Sequence, residues 1–277
     1  MDYIECNFLI TPLNPGNEIL AATLADVGFE SFTETEKGLI AYIPDTKFSK
    51  DIIENLDIMR NKEFTIQFDY KNIQDKNWNE EWERSYNAVV IAKKCCIRAP
   101  FHPKNESCKI DIIIEPKMSF GTAHHETTSL MIEQILALEL KGKKVLDMGC
   151  GTGVLAILAA KLGSTQITAI DIDEWAYNNS VENVQRNETG FINVILGDIE
   201  LVNKMYDCIF ANINRNILIK HIPEYVTHLN KSGILLMSGF YNADKPVIIN
   251  IAESNGLKLV SETEKNNWVV LKFKKTH

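Results

Sequence analysis

The chain has 277 residues, 45% of them hydrophobic and 24% charged, and a formal net charge of −8. That length suits two domains, and the acidic balance argues against direct nucleic-acid binding, which needs a basic footprint. A small ligand or a basic protein partner reached by steering fits better. No apolar stretch approaches the ~18 residues that span a bilayer, and MDYIECNFLITP lacks a basic region and a cleavage site, so a cytoplasmic chain without membrane contact is expected.

Residues 1–70 read as βαββαβ. In the first strand Ile4, Cys6, Phe8 and Ile10 alternate onto one face. A helix after NPGN carries Ile19, Leu20 and Leu24 and stops at Gly28. FESFTE and GLIAYIP flank Lys37-Gly38 as two strands, a helix over 48–60 follows, and EFTIQFDY closes the unit. This order predicts a small ferredoxin-like α/β domain, and nothing in it looks catalytic. In DKNWNEEWERSY, Asn77 and Glu80 form a capping-box pattern, and Trp78 and Trp82 share one helix face. They read as packing under a connector or as a docking face for a partner. NAVVIAKKCCIRAP and CKIDIIIEP read as two strands around FHPKNES, and 71–108 is placed as a linker.

From about 117, within a second domain placed at 109–277, the rhythm becomes alternating helix and strand: helix 126–140, strand 144–148, helix 153–162, strand 166–171, helix 174–187, strands 191–196 and 206–211, helix 214–229, strand 234–239 and helix 243–254. LKLVSETEKNNWVVLKFKK supplies a last pair of strands. Repeated βα units predict a mostly parallel sheet covered by helices. The six cysteines include no CxxC pair and no zinc-like spacing, so buried reduced thiols and no metal are expected.

Ligands of such sheets sit at the carboxyl ends of the strands. In KVLDMGCGTGVLAI, Gly149, Gly151 and Gly153 occupy that turn, and a dinucleotide fingerprint would need its third glycine at Val154. The strand QITAI ends in Asp171, 22 residues past Gly149, where an acid can accept both hydroxyls of a ribose. An NAD enzyme would use the same acid, so these two features leave the nucleotide open. VILGDIE ends the third strand with Asp198, which reads as an acceptor for an adenine amino group or as a turn residue. YDCIFANIN ends the fourth with Asn212, a short polar group at the cleft mouth or a turn residue. The closing two-strand hairpin matches the pattern of S-adenosylmethionine-dependent methyltransferases, whose last strand is antiparallel.

At EPKMSFGTAHHETTSLM, residues 115–131, the chain resembles the PrmA family, methyltransferases that modify the eleventh protein of the large ribosomal subunit. That family has an FGTG.H.TT segment before the helix preceding the glycine loop; Phe120, Gly121, Thr122, His125, Thr127 and Thr128 match it, and Ala123 replaces its glycine. The likeness also takes in the small N-terminal domain, the Trp-bearing linker and the DMGCGTGVLAI, DID and ANI motifs. The resemblance implies a seven-stranded Rossmann-like methyltransferase sheet over 109–277. It also implies S-adenosylmethionine as cofactor, with contacts at Thr128, Gly149, Asp171 and Asn212; Gly151 joins them from the glycine turn and Asp198 from its strand end.

What the resemblance further implies is methyl transfer to lysine side chains and the N-terminal amine of that ribosomal protein, by a chain expected to be a monomer. Residues 1–70 would recognise the substrate. His124 and His125 lie beside the proposed cofactor, and His125 reads as a general base or as a residue holding the loop. Amine methylation needs alignment of a neutral amine and no dedicated base, so no catalytic residue is fixed. The alternatives are a methyltransferase acting on a small molecule or RNA, and an NAD-dependent oxidoreductase.

Overall fold

The computed structural model describes residues 2–73, 86–117 and 119–276. The capping box at Asn77 and Glu80 and the pair Trp78 and Trp82 lie outside the described residues. Contacts divide the chain into two units, Met1–Ser85 and Tyr86–His277.

In the first unit β1 (Tyr3–Thr11) buries Ile4, Cys6, Phe8 and Ile10, as its alternation requires. It pairs antiparallel with β3 (Gly38–Pro44) on one side and β4 (Thr65–Ile73) on the other, while β2 (Ser31–Thr35) pairs with β3. The order is β2-β3-β1-β4. Helix α1 (Leu13–Asp26) buries Leu20 and Leu24 against this sheet, but Ile19 is exposed. The helix expected over 48–60 is two short ones, α2 (Lys50–Glu54) and α3 (Asp57–Arg60). Asn55 folds its amide back onto the Asp51 carbonyl, and Leu56 turns extended at φ −65 and ψ 138, which sends its side chain into the core.

The second unit opens with a three-stranded sheet, β5 (Val89–Ile91), β6 (Cys95–Arg98) and β7 (Ile110–Ile113). Where the sequence suggested one strand over NAVVIAKKCCIRAP there is a hairpin, reversed by Ala92 and Lys93 at φ 50 and 54. No glycine or asparagine marks that turn, which is why the pattern hid it. The Arg98 guanidinium clamps Asp111 through two bonds of 2.9 and 3.0 Å across β6 and β7.

The large sheet has seven strands: β8 (Lys144–Met148), β9 (Gln166–Asp171), β10 (Asn193–Leu196), β11 (Tyr206–Asn212), β12 (Leu229–Tyr241), β13 (Leu257–Lys265) and β14 (Trp268–Lys275). Their order is β10-β9-β8-β11-β12-β14-β13, and only the pairings made by β14 are antiparallel. The helices are α4 (Glu126–Leu136), α5 (Val154–Lys161), α6 (Glu174–Arg186), α7 (Arg215–His228) and α8 (Lys245–Ser254). The helix expected over 126–140 stops at Leu136, because the chain must turn Leu140 into the core before entering β8.

Both faces of this sheet are covered, so its strands read as apolar runs. Val145 packs in one core cluster with residues of α4 and α5, and Leu146 in another with residues of α7 and α8. Strand order reverses between β8, which leads outward to β9, and β11, which lies on its other side. That reversal leaves a crevice above the carboxyl ends of the strands. Among the described residues, no helix is long and apolar enough to cross a membrane.

Candidate functional site

The turn leaving β8 is shaped by what cannot fit there. Gly149 has φ 72 and Gly151 φ 56, and a Cβ on Gly151 would strike the Phe120 carbonyl oxygen, a backbone atom with no room to yield. The Gly149 and Cys150 N–H groups donate to the Ile170 carbonyl at 2.8 and 3.0 Å, which locks the turn to β9. Thr152 ties it to the segment before α4: its N–H donates to the Phe120 carbonyl at 3.0 Å and its hydroxyl to the Gly121 carbonyl at 2.8 Å. Ala123 in that segment takes φ 67, the left-handed region that the glycine of the FGTG pattern would adopt without strain.

Two buried features that the sequence reading passed over hold this loop. Asp147, within β8, is 1% exposed, and its Oδ2 accepts from the Ala156 N–H at 3.0 Å. It thereby serves the first turn of α5, whose N-cap, Gly153, has no side chain to do so. Burial pushes the Asp147 carboxyl up to about 7; the Ala156 bond opposes this and the Asp171 charge adds to it. Asn183 and Asn187 on α6 form the second feature. The Asn183 amide donates to the Thr152 carbonyl at 3.0 Å and accepts from the Glu115 N–H at 2.9 Å, and Asn187 accepts from the Ile113 N–H at 2.8 Å. Asn179, Asn183 and Asn187 stand four residues apart, an amide stripe on the buried face that helical periodicity could have revealed.

A cleft of about 350 Å³ lies above this framework. Gly149, Gly151, Asp171, Asp198 and Asn212 line it, together with Phe120, Ile172, Trp175, Ile213 and His221. Asp171 accepts from the Gly151 N–H at 2.8 Å through Oδ2 and from the Asp173 N–H at 3.0 Å through Oδ1. Each oxygen keeps lone-pair capacity for a further donor. Asp198 accepts from the Ile199 N–H at 2.7 Å and caps a short 3₁₀ turn. Asn212 donates to the Thr128 hydroxyl at 3.4 Å, while its Oδ1 is buried with no hydrogen-bond partner among the described residues.

Thr128 and His125 are outside the cleft lining. Thr128, 1% exposed, reaches the cleft only through Asn212. His125 is the N-cap of α4: its Nδ1 accepts from the Thr127 N–H at 3.2 Å and from the Thr127 hydroxyl at 2.9 Å. That nitrogen is occupied in holding the helix start, and the ring packs against Phe120 and Trp268 at centroid distances of 5.1 and 4.7 Å. His124 faces the other way: its Nε2 meets the Asn87 carbonyl at 2.9 Å.

Chemically, the cleft offers a polar turn, a carboxylate pair at two strand ends, a buried amide acceptor and apolar walls, which suits a nucleoside with a polar tail. The family model described as Ribosomal protein L11 methyltransferase (PrmA) matches residues 20–276. Curated relatives of that name include one from Phocaeicola vulgatus, 44% identical over 281 residues, and one from Bacteroides thetaiotaomicron, 45% identical over 278 residues. Each alignment covers 99% of this chain and 99% of the relative. Among solved structures, the ribosomal protein L11 methylase from Lactobacillus delbrueckii subsp. bulgaricus superposes with a TM-score of 0.65 at 27% identity, covering 69% of this chain and 100% of that one.

Proposed function

The chain belongs to the ribosomal protein L11 methyltransferase (PrmA) family, and we propose that it methylates amines of ribosomal protein L11, the lysine side chains and the N-terminal amine, with S-adenosylmethionine as donor. One observation carries the reading: at the reversal of strand order a glycine turn, an acid at the next strand end and an unsatisfied buried amide oxygen open into one cleft. These residues fit the donor molecule. A Cβ-free turn admits a ligand close to the backbone, Asp171 has capacity left for ribose hydroxyls, and Asn212 Oδ1 is an acceptor lacking its donor.

When bound, S-adenosylmethionine supplies an electrophilic methyl group on a sulfonium, which a neutral amine takes in line. The chain's own work is positional. Asp171 fixes the glycine turn and would orient the ribose; Gly149, Gly151 and Asn212 would hold the amino-acid end, with Thr128 positioning Asn212 from behind, and Asp198 would hold the adenine. The aromatic group of Phe120, His125, Tyr241 and Trp268 packs beside α4 and β14 and would shield the reacting end from water. His125 acts here as a helix cap, and the amine proton leaves to solvent.

The first unit is read as the substrate-recognition domain. Its order β2-β3-β1-β4 with helices α1 to α3 supports a ferredoxin-like assignment, and the larger sheet's order supports a Rossmann-like methyltransferase domain. A monomeric, cytoplasmic enzyme acting on a basic ribosomal protein accords with the net charge of −8. The test incubates the protein with methyl-labelled S-adenosylmethionine and ribosomal proteins from a strain lacking this activity. Label in L11, located by peptide mapping to lysines and the N-terminus, is expected. Label only in RNA or in small molecules would overturn the substrate assignment.

A further inference from the structure

The end of the cleft beside Asp198 holds a buried ring nitrogen with no hydrogen-bond partner among the described residues. His221 on α7 is 1% exposed and lines the cleft, and it is its Nε2 that has no hydrogen-bond partner among the described residues. Asp198 Oδ1 is 3.7 Å away, past hydrogen-bonding distance, and already accepts from the Ile199 N–H. The other ring nitrogen, Nδ1, lies 3.5 Å from the hydroxyl of Tyr225, a fully buried phenol. Burial raises the Tyr225 phenol, which stays protonated and has a hydrogen to donate to Nδ1. Burial also lowers the His221 imidazole, against the opposing pull of Asp198, and so favours its neutral form. When Nδ1 accepts that hydrogen, the single proton of the neutral ring is on Nε2, the nitrogen that faces Asp198.

A buried donor left unsatisfied is rare in native proteins and asks for an explanation. Beside it stands a carboxylate acceptor, so the protein presents donor and acceptor side by side. The complementary ligand edge has an acceptor next to a donor, as in an aminated nitrogen heterocycle. An oxo-substituted ring presents the reverse order, carbonyl next to N–H, and would set like against like at both positions. Ile172 and Trp175, both largely exposed, line the same cleft and offer apolar faces to a planar ring.

We propose that His221 and Asp198 together read the amino edge of adenine, His221 Nε2–H donating to a ring nitrogen while Asp198 accepts from the amino group. This makes His221 a specificity-determining residue, and the inference rests on the reading of the cleft as an S-adenosylmethionine site. Sequence reasoning reached Asp198 from its strand end; His221 sits one helix later, and only folding brings the two together.

The experiment titrates S-adenosylhomocysteine and S-inosylhomocysteine, its 6-oxo counterpart, into the full chain by calorimetry, for wild type, His221→Leu and His221→Gln, with thermal unfolding followed alongside. His221→Leu is expected to weaken S-adenosylhomocysteine about tenfold and to shrink the preference over the inosyl ligand by a similar factor. His221→Gln, whose amide also donates, should recover most of both. A folded His221→Leu that binds as wild type does, or that loses both ligands equally, would overturn the proposal. Should the leucine variant not fold, nitrogen NMR of the wild-type imidazole decides: Nε2 must be protonated in the free chain and shift on adding S-adenosylhomocysteine, and a deprotonated Nε2 rejects the assignment. A wild type that fails to bind S-adenosylhomocysteine removes the functional reading itself, whereas binding with an unaltered ligand preference in His221→Leu removes only the role of His221.

Discussion

The two units use sheets of opposite design. The first is antiparallel throughout, with β1 at its centre and one face buried under helices; β2 and β3 are joined by a hairpin, and its other two connections run through helices. The second is parallel apart from β14, buried on both faces, and reverses its strand order beside β8. In the parallel sheet, strand ends that share one edge all hand over to loops on the same side, so Gly149, Asp171, Asp198 and Asn212 converge although 63 positions separate the first from the last. An antiparallel sheet sends alternate strand ends to opposite edges and gathers no such set. The difference teaches that the topology of the second unit is what gathers these residues into one cleft.

That contrast can be broken most severely in the first unit's core. Phe8 is fully buried and stacks on Phe68 at a centroid distance of 5.6 Å. Phe8→Ala is expected to destabilise that unit by about 3–5 kcal/mol while calorimetric affinity for S-adenosylhomocysteine stays within about twofold. A matching loss of affinity would mean the units are not independent in function.

Asp147 tests the second unit in a comparable range. Its folded pKa, up at about 7, exceeds the usual carboxylate value, so its contribution to stability is fully present below about 4 and is lost as pH rises through about 7. The span of about 3 pH units corresponds to about 4 kcal/mol at most. Asp147→Asn keeps an acceptor for the Ala156 N–H without the charge, and its denaturant stability relative to wild type should rise between pH 4 and pH 8. A constant difference across that range would refute the buried-acid account.

Asp171→Ala should weaken S-adenosylhomocysteine about a hundredfold, since its bonds to the Gly151 and Asp173 N–H groups would disappear together with the two proposed to the ribose. An effect under about fivefold would place the ribose elsewhere. The smallest change is Ala123→Gly. Relief of the left-handed strain at φ 67 is worth about 1 kcal/mol, and the loss of a methyl that is 1% exposed costs about as much. Unfolding midpoints should therefore nearly coincide, and a large destabilisation would show that the methyl's packing outweighs the backbone cost.

What the sequence by itself determined is whatever local chemistry writes locally. Alternation placed β1 and its four buried residues, apolar runs placed β8 and β9 to the residue, and glycines, acids and one amide at strand ends marked Gly149, Gly151, Asp171, Asp198 and Asn212 as a set. Local rules failed where a neighbour in space overrode them. Ala92 and Lys93 reverse a hairpin without glycine, Leu56 breaks a helix to reach the core, and α4 stops at Leu136 so that Leu140 can be buried. Tertiary structure alone decided the rest of the site. It turned His125 into a helix cap and placed Thr128 behind Asn212; it buried Asp147 until its acidity changed, and set beside Asp198 an imidazole whose Nε2 has no hydrogen-bond partner among the described residues. The physical reason is common to all four. Hydrogen-bond satisfaction and desolvation depend on which groups are near in space, and residues 23 positions apart in sequence, as Asp198 and His221 are, acquire that relation only when the helix after β11 packs back over the end of β10.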